Sequence, residues 1–261
     1  MDLTTQRPLP AAFGLHDRHV VVTGGGRGIG RAIALCAAAS GARVTLVARS
    51  QEQLDDAAAE IRAAGGTCAG VAHDLTDTES LDALAERLWE VAPVDGVVHA
   101  AGVQLRGPAV DVEVAAWRRV QALNVDAPYF LSTALARRQL AAEQRGSHVF
   151  IGSLNSSLGL PNVSPYVASK TALVGVTRAL STEWAARGLR ANIVGPGYFR
   201  TEMTEGLLAE PAHAQRILGR IPAGHLGAPE DVGTAAVFLL SDASSYITGQ
   251  LINVDGGWLA S

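Results

Sequence analysis

The chain has 261 residues, 48% apolar and 18% charged, with a formal net charge of −4. These values exclude a disordered or fibrous chain, and they provide no basic field for a nucleic acid. The length suits one α/β domain, and no run of 18 uninterrupted apolar residues marks a membrane span.

In chain order, residues 1–14, with Pro8 and Pro10, read as a loose arm ahead of a single domain over 15–261. The arm lacks the cationic start and apolar run of a secretory signal, so a cytoplasmic location is expected. Short β-branched runs follow: "HVVVTG", "RVTLVA", "TCAGVAHD", "DGVVHAAG", "SHVFIGS", "RANIVGPG" and "QLINVDGG". Between them lie helical stretches at 28–40, 51–64, 78–91, 112–141, 165–187 and 229–241. Such alternation predicts parallel strands joined by crossover helices, and strands apolar on both faces need helices on both faces. The expected fold is therefore α/β: a doubly wound, Rossmann-type, seven-stranded parallel sheet. Residues 200–228 break the alternation and read as a lid-like insertion carrying one or two short helices.

Cys36 and Cys68 form no CxxC pair and read as reduced thiols, and the seven histidines show no HExxH spacing, so no metal site is expected.

After the first strand comes "TGGGRGIG", with Gly24, Gly28 and Gly30 opening the next helix. Small residues there let the backbone approach a pyrophosphate, which the helix amides and dipole then bind. The second strand ends in Ala48, Arg49 and Ser50, with no acid for the ribose hydroxyls. Arg49, helped by Arg27 in the glycine turn, suits a 2′-phosphate, so NADP is expected ahead of NAD.

One lysine, Lys170, stands among 21 cationic side chains, four residues after Tyr166. Helical spacing puts both on one face, where an ammonium favours a phenolate and moves the phenol toward a useful base. A lysine also supplies a compact, rotatable donor that an arginine does not. Ser153, at the end of "SHVFIGS", can donate to a carbonyl oxygen; Ser156 and Ser157 read as loop-shaping residues. No His and acid in nucleophile-elbow context accompany these serines, which disfavours a serine hydrolase.

These residues resemble the short-chain dehydrogenase/reductase family, in its single-domain branch. The resemblance runs from about residue 15 to the C-terminus and rests on "TGGGRGIG", "HDL", "HAAG", "LNV", "YVASK", "GPGYFRT" and "YITGQLINVDGG". It implies a catalytic tetrad of Asn124, Ser153, Tyr166 and Lys170, in which Asn124 anchors a water linking Lys170 to solvent. It implies cofactor contacts at Gly24, Arg27, Gly28, Ile29, Gly30, Arg49, Asp74, Leu75, Ala100, Gly102, Tyr166, Lys170, Pro196, Gly197 and Thr201. Asp74 would hold the adenine amino group, and Lys170 the nicotinamide ribose. The family's usual asparagine before "AAG" is replaced by His99, read here as a structural residue. A homotetramer is also implied.

Within the family, "AGVQLRGP" and "GPGYFRTEMT" are most similar to the sugar-acid enzymes, gluconate 5-dehydrogenase and the deoxygluconate dehydrogenases. Gln104 and Arg106 would reach a polar small-molecule substrate together with Ser153 and Tyr166, Arg106 as a fork for a carboxylate. A 3-oxoacyl-thioester or general carbonyl reductase is the alternative, and a non-catalytic dinucleotide-binding sensor is an alternative of another class.

Overall fold

The computed structural model describes residues 9–200 and 210–261. Seven parallel strands form one sheet: β1 (His19–Thr23), β2 (Arg43–Ala48), β3 (Thr67–Ala72), β4 (Gly96–His99), β5 (Gly146–Ile151), β6 (Leu189–Pro196) and β7 (Leu251–Val254). Their order is β3-β2-β1-β4-β5-β6-β7, the doubly wound arrangement expected from the alternating pattern.

Helices cover both faces, and the strands divide their side chains between them with period two. Val20 and Val22 of β1 join Ile33 of α2 (Gly28–Ala39), Leu54 of α3 (Gln51–Ala63) and Val232 of helix Pro229–Leu240 in one core. Val21 points the other way, into a core with Leu84 of α4 (Leu81–Val91) and Leu131 of α6 (Ala127–Ala141). On that second face, Phe150 of β5 and Ile193 of β6 pack on Leu173 and Leu180 of α7 (Ser164–Trp184). Each such side chain contributes about 1.5–3 kcal/mol when fully buried, which is why the central strands read as unbroken apolar runs.

Two segments differ from the expectation, and a third, the insertion over 200–228, carries a short helix as expected. The N-terminal arm is not loose throughout: Leu9–Ala12 form a helical turn (α1), Phe13 stacks on Phe238 at 6.0 Å, and Leu15 is fully buried. Residues 1–8 lie outside the described residues. The stretch expected as one helix over 112–141 is α5 (Val114–Gln121) and α6 joined by a π-helical turn, Ala122–Asp126. In the expected lid, helix Pro211–Leu218 is described, and the turn after it docks on the C-terminus. There the Ala223 amide donates to the Gly256 carbonyl at 3.0 Å, and the Gly227 amide to that of Tyr198 at 3.1 Å.

Register brings the chemistry to one edge. Thr23 lies opposite His99, and His99 opposite Phe150, so Gly24, Ala100 and Ser153 emerge side by side at the carboxyl ends of neighbouring strands. Ligands of open parallel sheets bind at that edge, where the chain order reverses.

Candidate active site

The glycine turn leaves β1 with Gly24 at φ +68°, its amide donating to the Val47 carbonyl at 2.7 Å. A Cβ on Gly24 would lie 2.7 Å from the Ala101 amide nitrogen, and one on Gly30 would overlap the Gly24 carbonyl oxygen. This close packing allows no side chain and sets the first turn of α2 against the end of β1. Arg27, at the helix N-cap, makes no side-chain hydrogen bond to the first amides, which leaves the start of α2 as an anion-binding end.

Beyond β2, Arg49 is exposed and Ser50 caps α3, accepting from the Gln53 amide at 3.3 Å. Asp74 accepts from the Thr76 amide at 3.0 Å and its hydroxyl at 2.8 Å; these bonds, with Arg49 adding a smaller attraction, hold its carboxyl below the usual range. Leu75 is buried beside it. The two arms of the expected adenosine site, Arg49 and Asp74, thus lie within electrostatic reach of each other.

At the centre, Tyr166 and Lys170 follow one another on the buried face of α7, with the Lys170 ammonium 5.5 Å from the Tyr166 ring centroid. Lys170 is 5% exposed; its Nζ donates to the Ile151 carbonyl at 2.7 Å, and burial pulls its pKa down to about 8. Burial raises the Tyr166 phenol, and a hydrogen bond with Ser153 lowers it in part. The expected lysine-driven lowering is therefore not the dominant effect here: desolvation wins, because both groups are enclosed. Ser153 is fixed by a reciprocal cap, its Oγ accepting from the Asn155 amide at 3.2 Å while its own amide donates to Ser156 Oγ at 3.2 Å. Ser156 also donates to the Lys170 carbonyl at 3.1 Å, so it ties the serine loop to α7.

Asn124 sits in the π-helical turn, 1% exposed. Its Oδ1 accepts from the Val103 amide, and its Nδ2 donates to the Val103 carbonyl, both at 2.9 Å. Nδ2 also donates to Ser169 Oγ at 3.0 Å, a partner the sequence reading missed; Ser169 in turn donates to the Tyr166 carbonyl at 2.8 Å. A Cβ built on Gly102 would lie 3.3 Å from Asn124 Oδ1 and 3.7 Å from Lys170 Nζ. Gly102, Asn124, Tyr166, Lys170 and Ser153 are thus brought into one connected group.

Pro196 is buried at the end of β6, and the Gly197 amide donates to the Val254 carbonyl at 2.8 Å. Thr201 lies outside the described residues. Gln104 is half-buried and Arg106 exposed on the loop after β4, which is pinned by the Gly107 amide donating to the Asn162 carbonyl at 2.9 Å. His99 is structural: its Nε2 pairs with Ser132 Oγ at 2.7 Å, its ring stacks on Phe150 at 4.9 Å, and burial keeps it neutral. No group of three metal-ligating side chains occurs among the described residues.

The sequence reading also missed the wall beyond β6. Tyr198 lies 4.8 Å from Trp258 between ring centroids, and the Arg220 guanidinium stacks on Trp258 at 4.3 Å. Tyr198 stood inside the quoted "GPGYFRT", but nothing local pairs it with a residue 60 positions away.

A family model described as Enoyl-(Acyl carrier protein) reductase matches residues 24–259. Galactitol 2-dehydrogenase (L-tagatose-forming) of Cereibacter sphaeroides is 41% identical, over 94% of this chain and 96% of that protein. Gluconate 5-dehydrogenase of Gluconobacter oxydans is 38% identical, over 95% of this chain and 97% of that protein. Among solved structures, a Beutenbergia cavernae protein assigned as an NAD(P)-dependent gluconate 5-dehydrogenase, with NADP bound at low occupancy, is 45% identical. It superposes with a TM-score of 0.93, covering 96% of this chain and 100% of that one. A Burkholderia cenocepacia gluconate 5-dehydrogenase in complex with NADP and tartrate is 31% identical, with a TM-score of 0.93 over 97% and 100% of the two chains.

Proposed function

The chain belongs to the short-chain dehydrogenase/reductase family and is an oxidoreductase interconverting an alcohol and a ketone; on that premise we propose that it does so with NADP, on a sugar acid of the gluconate class. The observation that carries the reaction is the grouping of half-buried Ser153 with buried Tyr166 and Lys170 at the carboxyl edge of the sheet. The residues present fit the cofactor: Gly24 and Gly30 pack on backbone too closely for a Cβ, Gly28 at φ +53° has open space beside it, and Arg49 takes the place of an acid after β2. Gly24, Gly28, Ile29 and Gly30 would hold the pyrophosphate, with Arg27 and Arg49 at the 2′-phosphate. Asp74 and Leu75 would flank the adenine, and Ala100, Gly102, Lys170, Pro196, Gly197 and Thr201 the nicotinamide end. NADP supplies the hydride acceptor in oxidation, and its reduced form the donor in reduction.

In oxidation, Tyr166 acts as the phenolate and its Oη takes the substrate hydroxyl proton as the carbonyl forms; in reduction, the neutral phenol gives its proton to the oxygen. Ser153 Oγ donates to the same oxygen and offsets the charge that develops there. Lys170, with its pKa at about 8, remains mostly cationic at neutral pH, and an ammonium 5.5 Å from the ring favours the phenolate against the burial that raises the phenol. Asn124 holds the loop after β4 beside Lys170, and in the relay that the family resemblance implies it would anchor a water between Lys170 and solvent.

Support for a sugar acid comes from the gluconate 5-dehydrogenase relative and from Arg106, which stands on the loop after β4 as a carboxylate fork with Gln104 beside it. A polyol is the second reading, favoured by the galactitol 2-dehydrogenase relative. Purified protein is to be assayed with NADP and NAD on gluconate and galactitol, and with NADPH and NADH on 5-ketogluconate and an acetoacetyl thioester. Turnover of gluconate and 5-ketogluconate with the NADP couple supports the reading; turnover of the thioester alone sinks it. The family also points to a homotetramer, and the protein is expected in the cytoplasm. The exposed apolar side chains Val114 and Trp117 of α5 and Tyr129 and Phe130 of α6 suit an intersubunit face.

A further inference from the structure

Residues 210–228 and the C-terminal turn close on each other beside the catalytic serine. Ile217, Ile221 and Trp258 are buried together with Leu154, the residue directly after Ser153. A Cβ on Gly256 would lie 2.7 Å from Ile221 Cγ2, so the two segments pack backbone against side chain. Tyr198, at the end of β6, completes the wall through its contact with Trp258.

The one carboxylate side chain of the C-terminal turn, Asp255, is taken up locally, accepting from the Gly257 amide at 2.9 Å and the Leu259 amide at 3.0 Å. Burial raises the Tyr198 phenol, and Arg106, Arg220 and Arg216 each act on it in the opposite sense, which puts three guanidinium groups within electrostatic reach of one hydroxyl. They come from three places: Arg106 from the loop after β4, Arg216 from helix Pro211–Leu218, and Arg220 from the turn behind that helix. Among the described residues, no carboxylate forms an ion pair with any of the three. The indole N–H of Trp258, itself 4% exposed, has no acceptor there either. With Asp255 occupied by backbone amides, the three guanidinium groups and the Trp258 N–H are complementary to a ligand that accepts hydrogen bonds.

Arg220 is the best prepared of the three. Its guanidinium carbon lies over the buried Trp258 ring at 4.3 Å, so this exposed side chain rests on a rigid surface with its N–H groups open to an acceptor. A planar fork held in this way matches a carboxylate in two parallel hydrogen bonds, and little side-chain freedom remains to be lost on binding.

We propose that Arg220, braced on Trp258 and assisted by Arg106 and Arg216 around Tyr198, is the residue that selects a carboxylate-bearing substrate over a neutral polyol. The inference rests on the sugar-acid reading and refines it: Arg106 alone gives a carboxylate one fork on an exposed loop, whereas Arg220 adds a second on a braced one. Charge-assisted hydrogen bonds of this kind correspond to about a 10- to 100-fold preference.

The test compares wild type with Arg220→Met, which keeps an apolar stem over Trp258 without the charge, and with Arg220→Lys, which keeps the charge without the planar fork. Oxidation of gluconate and of galactitol with NADP gives the ratio of the two kcat/KM values. A fall in that ratio of at least about tenfold in Arg220→Met, with a smaller fall in Arg220→Lys, supports the assignment. A ratio that stays within about twofold overturns it, as does a loss confined to NADPH affinity. A second arm measures tartrate binding calorimetrically in the presence of NADPH. Affinity at least about tenfold weaker in Arg220→Met supports a carboxylate site, while equal affinity, or no binding to wild type, overturns it. If wild type oxidises galactitol and no sugar acid, the substrate reading fails, and the tartrate arm still decides on Arg220. Unchanged melting temperatures separate loss of binding from loss of fold.

Discussion

Burial presses on Lys170 and Tyr166 in the same direction, toward the neutral form of each, so the cation at the catalytic centre is held there against the preference of its surroundings. With its pKa at about 8 in the folded protein, against an ordinary value near 10.5, Lys170 carries its full burial penalty below about pH 8, where both states are protonated. Between about 8 and 10.5 the unfolded chain holds a proton the folded chain has released, so this group's contribution to stability rises with pH. Lys170→Met is therefore expected to raise the melting temperature of the cofactor-free protein at pH 7, by a gain on the order of 1–3 kcal/mol, and to abolish turnover. Scanning calorimetry from pH 7 to 10 checks it; the advantage should shrink as pH rises, and a lower melting temperature at pH 7 would assign the larger weight to the bond with Ile151. Tyr166→Phe removes only the oxygen that exchanges the proton, so kcat should fall by about 10²–10⁴ while NADPH affinity, read by fluorescence titration, stays within about threefold. Tyr166, Lys170 and Ser153 were legible in the sequence because helical spacing and strand ends fix where they point. The direction of the Tyr166 shift was not, because desolvation depends on how completely distant segments enclose the ring.

At the scale of elements, the glycine turn is the clearest match between pattern and geometry. Gly30→Ala would drive a methyl group into the Gly24 carbonyl and push α2 off the end of β1, weakening NADPH binding by at least about tenfold, with a melting temperature lowered by several degrees. An alanine variant that binds NADPH as wild type does would remove the cradle from the account. Strand and helix bounds agree with the pattern to within about three residues, except where i→i−4 bonding is interrupted. The π-helical turn at Ala122–Asp126 was invisible, since "ALNVD" has ordinary helical composition. What makes it necessary is Asn124, whose amide must reach both Val103 on the loop after β4 and Ser169 on α7. The wall of Tyr198, Arg220 and Trp258 escaped for a related reason: its members belong to segments with no periodic signal.

For the whole molecule, seven parallel strands put every strand end that carries chemistry on one rim and leave the helical flanks free for association. The proposed tetramer is testable on that flank: Trp117→Glu combined with Phe130→Glu should lower the mass seen by light scattering to a half or a quarter, and a wild-type mass unchanged by the pair would move the interface elsewhere. The tetramer is proposed from family likeness alone, because a single chain's apolar fraction does not say which faces meet. The clasp between residues 210–228 and the C-terminal turn bears on how such a scaffold acquires new substrates. Gly256 fits Ile221 and Gly257 fits Pro222 so closely that a methyl group on either glycine would crowd its partner. Transplanting one segment alone from a relative would leave mismatched halves. Retargeting this chain by recombination accordingly calls for paired crossovers, with both segments inherited from one parent while the hydride-transfer machinery on β1, β5 and α7 stays where it is.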